Sequence, residues 1–349
     1  APLRPVAVYY PPSLTLRRPE WSSGIPAEEP LDESVGRAPP ERPSYQDDAL
    51  VKRFQTRVSL LQVPAVMAGF SGVGFGAVET ASGPLAVLPS GEGLLLLARA
   101  VDLGELREVK RRLGLHAIRL ELPWTAILRD ASEGGVHFDP ERASSYLEAA
   151  SVFGLRPSAL RWLHRKTQVL DLTGGPGAWV SRLPPRKRRQ LRAGLGLVSH
   201  SLIRTGDAAD QALWDAVGEV NDAWRRATSA PDSLPFSAGF VRALGAAATI
   251  AVLSDAEGPV AFQLCGIHDR TVTALAAAVH PRAARGAWAD AALYYAAELA
   301  IGQGCDVLDL HGAYDERFPE ERLDWRGFSE HKQGMHPSVV YLPPTLLLG

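Results

Sequence analysis

Between residues 117 and 122, Ile118, Leu120 and Leu122 alternate with Arg119 and Glu121, the period of a strand with one face buried. Residues 102–113 just before it have helical spacing, with Asp102 placed to cap the start and Gly114 to end the turn. Upstream, apolar runs at 57–66 and 83–101 predict strands and hairpins, the second turning at Pro89, Ser90 and Gly91. Downstream, the pattern predicts a helix over 141–153, a strand over 167–172 and a basic stretch over 179–195 that is helical after its prolines. An amphipathic helix over 209–227 carries Leu213, Val217, Val220 and Trp224 on one side. Residues 249–254, 260–267 and 272–279 predict a three-strand meander through turns at 256–258 and 268–270. A helix over 287–301, stopped at Gly302 or Gly304, and a strand over 306–310 follow.

The order helix, glycine, alternating strand occurs twice: setting Gly304 on Gly114 places Leu308 on Ile118 and Leu310 on Leu120. Two related α/β modules are one reading. A different offset also gives a match, Val169–Leu172 against Val307–Leu310, and helix-glycine-strand is a common unit of α/β folds.

The chain's 349 residues leave room for one large or two medium domains. Ten of its 27 prolines fall in the first 44 residues, so residues 1–44 are expected to form an extended arm. Residues 45–175 and 176–349 are expected as the two modules. With 37 basic against 39 acidic side chains, any nucleic-acid contact needs a local patch. Two cysteines outside any CxxC pair and the lack of a ~20-residue apolar run give the expectation of a cytoplasmic protein.

The common strong signatures are missing: there is no GxxxxGK[ST], HExxH, CxxC or GxSxG. The glycine-rich stretch 69–76 reads as a loop or hairpin turn, and the spacing of His331 and His336 does not put both on one helix face, so no metal site is expected. Two segments carry the candidate chemistry. One is the basic run containing Arg182, Arg186, Lys187, Arg188, Arg189 and Arg192 with no acid among them, read either as a solvated helix face or as a polyanion contact. The other is the strand end Asp309-Leu310-His311-Gly312 followed by a segment from Trp325 to Gly334 in which Lys332 stands among aromatics. Alone, Lys332 reads as a surface lysine or as a cation at the mouth of a sheet.

The chain shows a Val-Leu-Asp-Leu strand, then a basic Lys-Arg-Arg-x-Leu-Arg helix, a meander and a Leu-Tyr-Tyr-x-x-Glu-x-Ala helix. It ends on Asp-Leu-x-Gly and a Phe- and Lys-containing segment. This order resembles the Fem-type aminoacyltransferases of the GNAT superfamily, over roughly residues 50–343. The resemblance implies an α/β (α+β) fold of two tandem GNAT-like domains, each a mixed sheet flanked by helices. It implies transfer of an amino acid from aminoacyl-tRNA, as co-substrate, to an amine, either a small natural-product intermediate or a peptidoglycan precursor. On it, Lys332 is the candidate catalytic cation, with His331 before it where the family has Phe. Asp309 is a candidate base, or else a strand-end cap of the neighbouring loop. Arg186, Lys187, Arg188, Arg189 and Arg192 are candidate tRNA contacts, and Trp325, Phe328 and Tyr295 candidate substrate-binding side chains. No cofactor is implied. Arg282, Arg285 and Gly286 make a poor match to the loop by which other GNAT enzymes hold CoA, because the glycine falls one place late. A CoA-dependent N-acyltransferase and a non-catalytic GNAT-like binding protein are the alternatives.

Overall fold

The computed structural model describes residues 45–57, 76–80, 83–87, 93–96, 100–115, 117–122, 127–130, 134–137, 151–158, 164–205, 211–228, 244, 247–283, 287–317, 325–343 and 345–349. The expected N-terminal arm, the strand over 57–66 beyond Arg57, and nearly all of the helix over 141–153 lie outside them.

The first half opens with α1 (Asp48–Gln55), a hairpin of β1 (Gly76–Thr80) and β2 (Gly83–Val87), then β3 (Gly93–Leu96) and β4 (Ala100–Asp102). Helix α2 (Leu103–Leu113) follows, capped by the Asp102 carboxylate, which accepts the Glu105 N–H, and ended by Gly114 at φ 64°. It crosses to β5 (Ile118–Glu121), which pairs parallel to β3. Strands β6 (Ile127–Asp130) and β7 (Gly134–His137) join β4 in a small sheet, and β8 (Leu155–Pro157) closes this half.

The second half begins with β9 (Lys166–Asp171), α3 (Gly175–Arg182) and α4 (Pro185–Leu197). The basic stretch over 179–195 is helical after its prolines, as α4, and α3 ends just before them. Pro184 holds Leu183 in extended conformation at ψ 147°, so the chain turns there and restarts with Pro185 in the first turn. Next come β10 (His200–Thr205), α5 (Gln211–Thr228), β11 (Ala248–Asp255), β12 (Gly258–His268) and β13 (Thr271–Val279). Helix α6 (Trp288–Gly302) crosses to β14 (Val307–Asp309), which pairs parallel to β13, and α7 (Trp325–Gln333) and the strands β15 (Ser338–Tyr341) and β16 (Leu346–Leu348) complete the chain. The same unit, a parallel strand pair bridged by a helix that ends on a left-handed glycine, Gly114 or Gly304, thus occurs in both halves.

The sheets do not divide at residue 175. The large sheet runs β10-β11-β12-β13-β14-β9-β15, so β9 belongs with the second half, between β14 and β15. The six-stranded sheet runs β1-β2-β3-β5-β16-β8, with the C-terminal strand inside it. On the large sheet α6 buries Ala296, Ala297 and Ala300 against Leu170, Val272 and Leu308, and α5 packs on β12 and β13 with Leu213 and Val220 fully buried. No helix among the described residues is long and apolar enough to cross a membrane.

Candidate active site

The parallel strands β13 and β14 pair only through Thr271↔Val307, Val272↔Leu308 and Thr273↔Asp309, and β13 then runs on to Val279 paired with β12 but not with β14. The divergence has a local cause. Cys265 faces Ala274 and Leu264 faces Ala276, so Leu275 is an extra residue that bends β13 away. The Gln263 amide holds the bulge by donating to the Leu264 and Ala276 carbonyls, both at 3.0 Å. Asp309 is the last β14 residue paired with β13, so the strand end falls where the two strands part.

Beyond Asp309 the chain continues along β9. The N–H groups of Leu310 and Ala313 donate to the Gln168 and Lys166 carbonyls, while His311 and Gly312 bulge between them at φ 54° and 44°. Asp309 is buried and accepts from the Thr167 hydroxyl at 2.5 Å and from the His311 N–H at 2.9 Å. Burial raises its pKa, against the pull of those two donors and the Lys332 ammonium. With these bonds in place its carboxylate organises the loop, the capping alternative of the sequence reading.

Lys332 is 4% exposed, not a surface lysine. Its ammonium donates to the His311 and Gly312 carbonyls that the bulge turns toward it. Burial pushes its pKa down to about 7, although nearby Asp309 favours the charged form. Burial and the Lys332 charge also push the His311 imidazole down to about 3, so that ring, edge-on to His164 at 4.7 Å between centroids, is neutral at ordinary pH. Helix α7 carries Lys332 and is fixed to the loop by Ser329, whose hydroxyl accepts the Tyr314 N–H at 2.7 Å.

The predicted basic contacts take three different placements. Arg186, Arg189 and Arg192 are exposed on one face of α4. Lys187 points the opposite way, buried with Leu191 and Gly194, and its ammonium lies 3.0 Å from both Asp290 carboxylate oxygens. The Arg188 guanidinium donates to the Ser181 and Leu183 carbonyls, clamping the joint between α3 and α4. Tyr295 is half-buried on α6 and, like Leu195, packs against both core clusters beneath that helix. Of Trp325 and Phe328 only the backbone, on α7, is described. No group of three or more metal-ligating side chains occurs among the described residues.

Sequence reasoning missed Thr167, Gln168, Asp290 and the carbonyls of residues 311 and 312. Three polar residues, Lys166, Thr167 and Gln168, leading directly into an apolar strand were the available signal, since buried polar groups need partners. The Gln168 amide is buried, and among the described residues neither its nitrogen nor its oxygen has a hydrogen-bond partner.

A family model for acetyltransferase (GNAT) domains matches residues 185–320. No curated protein matches the chain by sequence. Among solved structures the chain is similar to FemX, at 10% identity and TM-score 0.64 over 86% of this chain and 95% of that one. It is similar at 14% identity and TM-score 0.54 to L-PGS from Bacillus licheniformis, over 92% of each chain. A third likeness, also at 14% and 0.54, is to the C-terminal domain (DUF2156) assigned to a lysylphosphatidylglycerol synthetase of Agrobacterium fabrum, over 86% of this chain and 90% of that one. At these identities the likeness is one of architecture, and the mixed sheets and the GNAT match agree on it: the protein has a GNAT-like fold, similar in architecture to FemX.

Proposed function

We propose that the protein is an aminoacyltransferase that moves an amino acid from aminoacyl-tRNA onto an amine acceptor. The observation that carries this reading is the buried Lys332 at the divergence of β13 and β14, in a fold shared with FemX. The acceptor nitrogen attacks the ester carbonyl carbon, the C–N bond forms and the ester C–O bond breaks. The amine proton leaves with the 3′-terminal ribose hydroxyl. Lys332 places positive charge where negative charge develops on the carbonyl oxygen, and its near-neutral pKa suits it to pass the proton on. The arginine face of α4 supplies sequence-independent phosphate contacts.

CoA is the donor that a GNAT-like fold otherwise implies, and the described residues fit its diphosphate poorly. The first turn of α6, where backbone N–H groups would receive it, already holds the Asp290 carboxylate. Helix α4 crowds the same end, since a Cβ on Gly194 would sit 2.6 Å from the Ala287 carbonyl oxygen. Arg282 is engaged by Asp255 at 3.1 Å. The match to an acetyltransferase domain model keeps CoA-dependent acylation as the second reading.

Charged crude tRNA, with and without ribonuclease, offered with a panel of amines and followed by mass spectrometry, separates the readings. Ribonuclease-sensitive amide formation is expected. Equal product from acetyl-CoA in digested samples would establish the second reading, and product from neither donor would favour a binding protein.

A further inference from the structure

We propose that Lys187, Asp290 and His331 form a positioning network that holds α7 at the register in which Lys332 reaches the His311 and Gly312 carbonyls. Three helices meet in it. Asp290 stands in the first turn of α6, where the helix dipole favours an anion, and takes Lys187 of α4 at 3.0 Å and His331 Nε2 of α7 at 3.2 Å. Behind the ion pair the contact is close: a Cβ on Gly334 would lie 3.1 Å from Lys187 Cε, so α7 ends directly on the lysine stem.

A helix as short as α7 does not persist on its own propensity and takes its position from what it is tied to. One side is tied to the strand-end loop through Ser329 and Lys332. The other is tied through His331 to a buried carboxylate already paired with Lys187, so α7 is joined to α4 and α6 at one point. Burial alone would raise the Asp290 pKa; the His331 hydrogen bond and the Lys187 charge reverse this and keep it ionised. Lys187 therefore serves the site from within, while Arg186, Arg189 and Arg192 occupy the outer face of the same helix. These residues act through Lys332 and are positioning residues; their effect on turnover rests on the functional reading above, whereas their effect on Lys332 does not.

The chain has only five lysines, Lys52, Lys110, Lys166, Lys187 and Lys332, so the full-length protein labelled with 13Cε-lysine gives few resonances. The Lys332 signal is identified by its loss in Lys332→Arg, and its titration midpoint is followed in His331→Ala, Asp290→Asn and His331→Gln. The midpoint is expected to move up by about one unit or more in the first two variants, as the amine gains water. It is expected to stay near the wild-type value in His331→Gln, which retains a donor to Asp290. An unchanged midpoint in folded His331→Ala overturns the proposal. Should Asp290→Asn fail to fold, His331→Ala decides the matter, since its side chain is 44% exposed. With charged tRNA as donor, kcat is expected to fall at nearly constant KM. A shifted midpoint with full turnover would uphold the network and remove Lys332 from the chemistry.

Discussion

The free energy of Lys332 is divided between its hydrogen bonds to two carbonyls and its removal from water. Its folded pKa near 7 lies below the ordinary 10.5, so between these values the unfolded chain binds more protons than the folded one. Stability from this group therefore rises with pH across that window and is lowest below pH 7, with a span on the order of a few kcal/mol. Thermal melts between pH 7 and 10 should show such a rise in the wild type and its loss in Lys332→Met; parallel curves would mean that the amine stays charged. Gln168 poses the opposite question, because both of its amide atoms are buried with no hydrogen-bond partner among the described residues. Each such atom costs about 1–3 kcal/mol, so Gln168→Met should raise the melting temperature. If the amide serves a substrate, turnover should fall in the same variant.

Helix α4 shows how one sequence stretch serves two environments. Lys187, Leu191 and Gly194 follow the helical period inward, and Arg186, Arg189 and Arg192 follow it outward. Gly194→Ala would drive a methyl group into the Ala287 carbonyl, and a loss of about 1–3 kcal/mol in denaturant unfolding is expected. Replacing Arg186, Arg189 and Arg192 together with alanine should lower tRNA affinity and flatten the logarithmic salt dependence by about two to three units, with folding unchanged. An unchanged slope would make the arginines a solvated face. Most elements were legible because their signals are local: the Asp102 cap, the Gly114 and Gly304 stops and the alternation in β5 all act within a few residues. The inward turn of Lys187 was not legible, because its cause, Asp290, is 103 residues away. The burial of Lys332 was hidden for a similar reason, since its carbonyl partners become acceptors only where residues 311 and 312 adopt positive φ.

The two halves are interlocked. Residues near the start serve the large sheet: the Gln46 amide makes paired bonds with the Val339 backbone at 3.0 and 2.9 Å, closing the β15 edge as a strand would. Tyr45 stacks on His336, and Leu50 of α1 joins Val169, Val307 and Val340 in a core cluster. In exchange, the chain leaves the large sheet after β15 and places β16 between β5 and β8 of the other, with Leu346, Leu347 and Leu348 all at or below 3% exposure. Strand β16 therefore joins the edge strand β8 to a sheet built otherwise from the first half. Removing residues 343–349 deletes its ladder bonds on both sides and uncovers the leucines' apolar partners, a loss far larger than a surface truncation. Hydrogen exchange of the truncated protein should show β5 and β8 amides losing protection, while β11 and β12, bonded only within the second half, keep theirs. Loss of protection in both sheets together would show that the interlock makes them one cooperative unit; full protection in β5 would show that β16 is dispensable to the sheet it completes.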